Sequence, residues 1–290
     1  MAFTTLISTA VLAAHSDDPA YVVIDCRFKL DDPAWGEREY HAAHIPGAAY
    51  AHLDRDLSGP KSGTNGRHPL PDAETLAQTL GRLGVTDNTQ VVAYDQDNGM
   101  FASRLWWLLR WMGHDAVAVL DGGFARWTAE NRPTTSGGER ATPKTFRGAR
   151  RRDMTVDAAG VAAILESGSS MLVDARAPQR YRGEVEPLDR VAGHIPGARN
   201  FFFQQNVGTD GLFRSPEEIR ASWRATVGDI PPAAVICYCG SGVTACHNLL
   251  ALEHAGLPGA KLYPGSWSEW CADATRPVET GDYDASLRPR

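Results

Sequence analysis

The chain has 290 residues, of which 43% are hydrophobic and 22% are charged, and its formal net charge is −6. This composition is that of an ordinary globular protein, and the length predicts two domains of about 140 residues each. The negative charge argues against a nucleic-acid partner. No apolar run approaches the ~18 residues of a membrane-spanning helix, so we expect no membrane partner.

An apolar segment near the N-terminus, residues 3–14, allows two interpretations. It ends in small residues, as a signal peptide does, but the first basic residue is Arg27, so the basic n-region is missing. The alternative is a short helix with Ser8 as its N-cap. We favour the helix.

Short apolar strands alternate with helical segments along the rest of the chain. The predicted strands are 21–25, 90–94, 116–122, 171–176, 233–238 and 260–265, and the predicted helices are 73–84, 101–113, 158–168, 215–228 and 245–256. This order predicts an α/β fold in which each domain is a mostly parallel sheet with helices on both faces. Ligands of such sheets bind beyond the carboxyl ends of the strands.

The chain repeats itself in four segments that recur in the same order at nearly one offset. The pairs are VVIDCR (22–27) with MLVDAR (171–176), HIPGA (44–48) with HIPGA (194–198), VVAYDQDNGMFAS (91–103) with VICYCGSGVTAC (235–246), and LDGGFARW (120–127) with YPGSWSEW (263–270). We therefore predict two copies of one domain. The first covers 1–135, a polar linker covers 136–153, and the second covers 154–290.

A cysteine lies between the predicted strand 233–238 and the helix 245–256, in the loop CGSGVT that begins at Cys239. Free backbone N–H groups and the helix dipole favour a thiolate there, and Gly240 and Gly242 allow the backbone to curl around it. The alternative is a small buried cysteine in a glycine turn. A cysteine phosphatase needs an arginine six positions after its cysteine, where this chain has Ala245.

The five cysteines, Cys26, Cys237, Cys239, Cys246 and Cys271, form neither a disulfide framework nor a zinc spacing. An odd number of cysteines favours a reducing compartment, which predicts a cytoplasmic protein. We interpret Cys237 and Cys246 as packing residues. We expect no metal and no cofactor.

The doubled α/β domain, the two HIPGA segments and the CGSGVTA loop resemble the tandem-domain rhodanese sulfurtransferases over essentially the whole chain. Within that family the loop resembles that of 3-mercaptopyruvate sulfurtransferases, because thiosulfate sulfurtransferases carry two cations where this chain has Gly240 and Ser241. The resemblance implies a first domain that is catalytically silent, since Asp95 stands where the second copy has Cys239.

The resemblance implies an enzyme in which Cys239 takes a sulfane sulfur from a small-molecule donor as a persulfide. With 3-mercaptopyruvate the enzyme would release pyruvate and pass the sulfur to a thiol, a thioredoxin-like protein or cyanide. One alternative is the same nucleophile acting on thiosulfate. Another is a non-catalytic rhodanese module that carries sulfur or binds a partner.

The resemblance also assigns roles to individual side chains. Ser241 matches a serine that a histidine and an aspartate assist, and the matching positions are His68 and Asp54. Arg180 matches an arginine that binds the substrate carboxylate. The family's second arginine lies where this chain has Asp189, and a shortened segment would bring Arg190 to that role, with Arg182 as a competitor. The remaining substrate-binding positions lie in the cysteine loop: Gly240, Gly242, Val243 and Thr244.

Four polar residues occur in both copies, which indicates that they serve the fold. Asp25 and Asp174 end predicted strands and precede arginines, so we expect them to shape the strand ends. His44 and His194 lie in the two HIPGA segments. Since the first copy has no cysteine at the loop, we interpret both histidines as structural.

Overall fold

The structure is a computed structural model and describes residues 2–139 and 141–283. The chain forms two compact units. The first comprises Met1–Gly59, Leu70–Arg151 and Gly208–Phe213, and the second comprises Pro60–Pro69, Arg152–Val207 and Arg214–Arg290. The predicted domain boundaries remain a proposal.

The elements of the first unit follow the predicted alternation of strands and helices. In chain order they are β1 (Leu6–Ile7), α1 (Thr9–Ala14), β2 (Tyr21–Asp25), α2 (Trp35–Ala42), β3 (Ala49–Tyr50), α3 (Leu53–Asp56), α4 (Ala73–Arg82), β4 (Gln90–Tyr94), α5 (Ala102–Trp111), β5 (Val117–Leu120) and α6 (Gly123–Ala129). The side chain of Ser8 accepts a hydrogen bond from the N–H of Val11, so the predicted N-cap of the first helix is present.

The sheet of the first unit has the strand order β1-β5-β4-β2-β3, and every pair is parallel. Along the central strand β4, Val92 and Tyr94 belong to a cluster with Leu12 and Trp127. Val91 is also fully buried, and because side chains alternate along a strand it faces the opposite side, where α5 packs. Both faces of the sheet are therefore covered.

The second unit repeats this plan. Its elements are α7 (Ala158–Ser167), β6 (Met171–Asp174), α8 (Pro178–Tyr181), β7 (Arg199–Asn200), α9 (Pro216–Val227), β8 (Val235–Tyr238), α10 (Thr244–His254), β9 (Lys261–Leu262) and α11 (Ser266–Trp270), with short 3-10 turns at Arg152–Met154, Phe203–Asn206 and Pro232–Ala234. The parallel order β7-β6-β8-β9 matches β3-β2-β4-β5 of the first unit. The predicted fold class, a doubled α/β domain, is confirmed.

The polar residues shared by the two copies support the fold, as predicted. Arg27 pairs with Asp25 at 2.7 Å, and Arg176 pairs with Asp174 at 2.6 Å, directly after β2 and β6. His194 is fully buried, its Nδ1 lies 2.8 Å from the carbonyl of Tyr181, and its ring stacks on the ring of that tyrosine. His44 makes the same contacts with Tyr40.

Among residues 2–139 and 141–283, the longest helices fall short of what is needed to cross a membrane.

Candidate active site

The loop that begins at Cys239 connects the end of β8 to the start of α10 and is held by its neighbours on both sides. The N–H of Cys239 donates to Ser266 Oγ at 3.1 Å, and its carbonyl accepts from the N–H of Trp267 at 2.9 Å. The carbonyl of Gly240 accepts from the N–H of Ser268, also at 2.9 Å. Cys239 is 2% exposed, so its thiol lies in an almost fully enclosed place at the carboxyl end of a central strand.

Ser266, which accepts the hydrogen bond from the N–H of Cys239, has a strained backbone conformation. Its φ is +54°, a left-handed value that non-glycine residues adopt rarely. The repeat aligns Ser266 with Gly123, whose φ is +57°. The second copy therefore keeps the backbone bend and adds a hydroxyl that accepts from Cys239, a role that the sequence analysis did not assign.

Gly242 is required by two features of the loop. Its φ is +76°, and a Cβ on it would lie 2.4 Å from the carbonyl oxygen of Pro264. Real side chains do not tolerate such a distance to a backbone atom, so the loop fits against the Pro264 segment because residue 242 has no side chain.

The first copy shows what the corresponding loop binds. Asp95 follows β4 as Cys239 follows β8, and α5 begins seven residues later at Ala102. The Asp95 carboxylate accepts hydrogen bonds from the N–H groups of Gly99 (3.0 Å), Phe101 (2.7 Å) and Ala102 (3.0 Å), and a longer one from Asp97 (3.3 Å). Burial raises the pKa of this carboxyl, and the N–H donors oppose that shift. In the first copy the loop therefore surrounds one acidic group with backbone donors.

Two of the predicted site residues meet in a hydrogen bond. Ser241 Oγ and His68 Nδ1 are 2.7 Å apart, and the two residues are 6% and 4% exposed. His68 belongs to the segment Pro60–Pro69, which packs within the second unit. Asp54 lies in α3 of the first unit, where its N–H donates to His52 Nδ1 at 3.1 Å, and its predicted role remains a prediction.

Two arginines of the second unit approach the backbone next to the cysteine. A Cβ on Gly240 would lie 2.7 Å from Arg67 Nη2 and 3.5 Å from Arg180 Nη1. Arg180 was among the predicted residues, and Arg67 was not. Its position directly before the predicted His68 was the signal that could have drawn attention to it.

Acidic residues of the segment 184–191 pair with these arginines. Arg180 Nη2 lies 2.6 Å from Glu186 Oε1 and 3.3 Å from Asp189 Oδ2, and Arg67 Nη1 pairs with Asp189 Oδ1. Burial raises the pKa of Asp189, and the guanidinium of Arg67 opposes this shift.

Arg190 and Arg182 are the other predicted candidates for the second carboxylate-binding arginine. Arg190 is exposed and makes no hydrogen bond or ion pair with the residues that the structure describes. Arg182 pairs with Glu184 at 2.7 Å. Of the loop positions, Val243 is buried at the end of the loop and Thr244 is the first residue of α10.

The other four cysteines are buried, as Cys239 is. All five cysteines are free. Burial raises the pKa of the Cys237 thiol and of the Cys271 thiol. The thiol of Cys246 donates to the carbonyl of Gly242 at 3.3 Å. These contacts suit packing roles. No cluster of three His, Cys, Asp or Glu side chains in the described part of the chain could hold a metal ion.

The model of the rhodanese-like domain family matches the chain twice, over residues 8–130 and 157–273. The chain therefore belongs to the rhodanese family and carries two copies of its domain.

Similar proteins refine this assignment. A protein from Pseudomonas aeruginosa named "Probable 3-mercaptopyruvate sulfurtransferase" is 49% identical over 97% of this chain and 100% of its own length. A thiosulfate sulfurtransferase from Cricetulus griseus is 37% identical over 96% of this chain and 95% of its own. The crystal structure of SseA from Escherichia coli, described among the 3-mercaptopyruvate sulfotransferases, is 32% identical with a TM-score of 0.80, covering 91% of this chain and 99% of that one. These relatives confirm the predicted enzyme class, a sulfurtransferase.

Proposed function

We propose that this enzyme moves a sulfur atom from 3-mercaptopyruvate to an acceptor through a persulfide on Cys239. The observation that carries the proposal is the 2.7 Å hydrogen bond between His68 and Ser241, two residues after the cysteine. A polar hydrogen-bonded pair beside an enclosed thiol at a helix start suits nucleophilic chemistry coupled to proton transfer. The similarity to a 3-mercaptopyruvate sulfurtransferase over the whole chain supports this donor.

In the first half-reaction the Cys239 thiolate attacks the sulfur of the donor. An S–S bond forms, the carbon–sulfur bond of 3-mercaptopyruvate breaks, and its electron pair goes to the carbon as the enolate of pyruvate. The proton that leaves the donor thiol goes to this enolate or to solvent, so the products are pyruvate and the Cys239 persulfide. The sulfur is transferred without its bonding electrons, and the reaction needs no external oxidant.

We assign the proton transfer in this step to His68 and Ser241. The imidazole can take the donor's proton through the Ser241 hydroxyl and return it to the enolate. Asp54 would orient the imidazole, as an aspartate does in a serine–histidine–aspartate triad.

The persulfide would be held by backbone N–H groups of the loop, at Gly240, Gly242, Val243 and Thr244. The carboxylate of Asp95, surrounded by N–H donors in the first copy, supports this assignment.

The donor carboxylate would bind to two guanidinium groups. Arg180 supplies the first, and we assign the second to Arg67 in preference to Arg190, because Arg67 approaches the backbone of Gly240 and Arg190 is exposed. Paired guanidinium groups match the geometry of a carboxylate.

In the second half-reaction an acceptor removes the outer sulfur. A thiolate or cyanide attacks that sulfur, the S–S bond breaks, and Cys239 leaves as the thiolate that begins the next cycle. The acceptor is cyanide, a small thiol or a thioredoxin-like protein, and the two half-reactions predict ping-pong kinetics. We assign the enzyme to the cytoplasm, because five free cysteines suit a reducing compartment.

Intact-protein mass spectrometry after exposure to 3-mercaptopyruvate tests the mechanism. We expect a mass gain of one sulfur atom that is lost in Cys239→Ser and retained in Cys237→Ser and Cys246→Ser. These two controls are matched, since both are buried thiols within seven residues of Cys239. A gain that persists in Cys239→Ser would eliminate this cysteine as the nucleophile.

Thiosulfate is the second candidate donor, and two observations favour it. A thiosulfate sulfurtransferase is 37% identical to this chain, and two guanidinium groups beside Gly240 would attract a dianion. The ratio of kcat/KM for the two donors decides between them. A higher value for thiosulfate would replace 3-mercaptopyruvate as the assigned donor.

A further inference from the structure

The charged side chains beside the cysteine loop form one continuous series of alternating sign. Asp174 pairs with Arg176, and Glu186 lies between Arg176 (3.2 Å) and Arg180 (2.6 Å). Asp189 then lies between Arg180 and Arg67, where the series ends. Three carboxylates therefore balance three guanidinium groups.

Asp189 differs from the other two carboxylates in its place in this series. Asp174 pairs with Arg176, and Glu186 joins Arg176 to Arg180, so both carboxylates bind a guanidinium that is 2% exposed and lies at the far end of the series from Arg67. Asp189 bridges Arg67 and Arg180, the two guanidinium groups that approach Gly240. Its side chain is 5% exposed, so water screens its charge weakly.

We propose that Asp189 is a specificity-determining residue, whose carboxylate reduces the positive charge of the Arg67–Arg180 pair so that the site favours a singly charged donor carboxylate over a dianion. This inference rests on the proposed function for the identity of the donor. The two guanidinium groups alone present two positive charges, which suit thiosulfate. The Asp189 carboxylate removes one unit of positive charge from this end of the series, which disfavours a dianion relative to the singly charged carboxylate of an α-keto acid.

The charge of the bound anion determines how strongly Asp189 weakens its binding. The repulsion between Asp189 and an anion grows in proportion to the anion's charge, so its free energy doubles from a monoanion to a dianion. If removal of the Asp189 charge improves the binding of a monoanion about threefold, it should improve the binding of a dianion about tenfold, the square of that factor.

Equilibrium binding of sulfate and pyruvate at pH 8 tests this without depending on turnover. The variants are Asp189→Asn, which removes the charge, Asp189→Glu, which keeps it, and Glu184→Gln, a control on the same segment whose partner is Arg182. Binding at this site is defined as the part lost in Arg180→Gln. We expect Asp189→Asn to bind sulfate about tenfold more tightly and pyruvate about threefold, while the other two variants stay within threefold of the parent for both anions.

Kinetics provide the second readout. In Asp189→Asn, kcat/KM for thiosulfate should rise relative to that for 3-mercaptopyruvate by at least threefold, mainly through a lower KM. The proposal is overturned if both anions respond equally, if neither responds, or if Asp189→Glu behaves as Asp189→Asn does. If the parent enzyme forms no persulfide from either donor, the proposed function fails, and the binding comparison still decides the role of Asp189.

Discussion

Gly242→Ala should lower both the stability and the activity of the enzyme, and Gly197→Ala is a matched control for the conformational cost alone. Gly242 and Gly197 have nearly the same left-handed backbone, with φ of +76° and +70°. A Cβ on Gly197 would meet no atom within 4 Å, whereas a Cβ on Gly242 would lie 2.4 Å from the carbonyl oxygen of Pro264. Gly197→Ala therefore carries the conformational cost alone, and Gly242→Ala carries that cost and a clash.

The magnitudes follow from these distances. An alanine in the left-handed region costs about 1–2 kcal/mol, which is the expected loss of stability for Gly197→Ala. Relieving the clash at Gly242 to an ordinary contact requires the loop or Pro264 to move by about 1 Å, and such overpacking costs about 1–3 kcal/mol more. Because this loop carries Cys239, a displacement of that size should also lower kcat/KM by about 100-fold.

Urea unfolding and steady-state sulfur transfer measure the two effects on the same preparations. The linear extrapolation gives the free energy of unfolding of each variant. Gly197→Ala should retain kcat/KM within about threefold. If the two variants lose the same stability and both keep full activity, then the close approach of residue 242 to Pro264 does not constrain the loop.

Two further predictions concern the histidines. His68→Gln and Ser241→Ala should each lower kcat/KM for 3-mercaptopyruvate by about 10²–10⁴-fold. Because the two residues act as one proton relay, the double variant should lose little more activity than either single variant. Fully additive losses would contradict the relay. Burial lowers the pKa of His194, so between the two pKa values the unfolded state binds more protons than the folded state. The free energy of unfolding should therefore fall as the pH decreases from about 6.5, the pKa of an unfolded histidine, toward the lowered pKa of the folded state. In His194→Gln, urea unfolding at several pH values should show a smaller decrease over this range, whereas an unchanged decrease would show that His194 does not contribute.

The parts of the fold that the sequence predicts well are those with a strong local signal. Strand β4 and helices α4 and α5 have long apolar patterns, and their observed bounds lie within two residues of the predicted ones. The helix α2 (Trp35–Ala42) was missed, because Gly36 and Tyr40 are its buried residues and Ala34 makes no capping bond. The two-residue strands β1, β3 and β7 are too short to show a periodicity.

The same distinction applies to the candidate site, where local features could be predicted from the sequence and features that depend on tertiary packing could not. The cysteine loop is contiguous in the sequence, so its glycines and its place between strand and helix could be predicted. Arg67, Asp189 and Ser266 come from segments far apart in the chain, and their approach to the loop depends on tertiary packing. The one local signal for Arg67 is its position directly before His68, and the left-handed backbone of Ser266 has no signal in the sequence.

The hydrogen bonds of Asp95 show what the loop of the first copy requires of the residue at this position. An alanine at position 95 would leave the N–H groups of Gly99, Phe101 and Ala102 without this acceptor, at a cost of about 1–3 kcal/mol for each group. An aspartate supplies oxygens to those donors and cannot carry a sulfur atom. The residue at this position must therefore be small and must carry oxygens that accept from these donors. Asp95 meets both conditions, so in the first copy this position stabilises the loop.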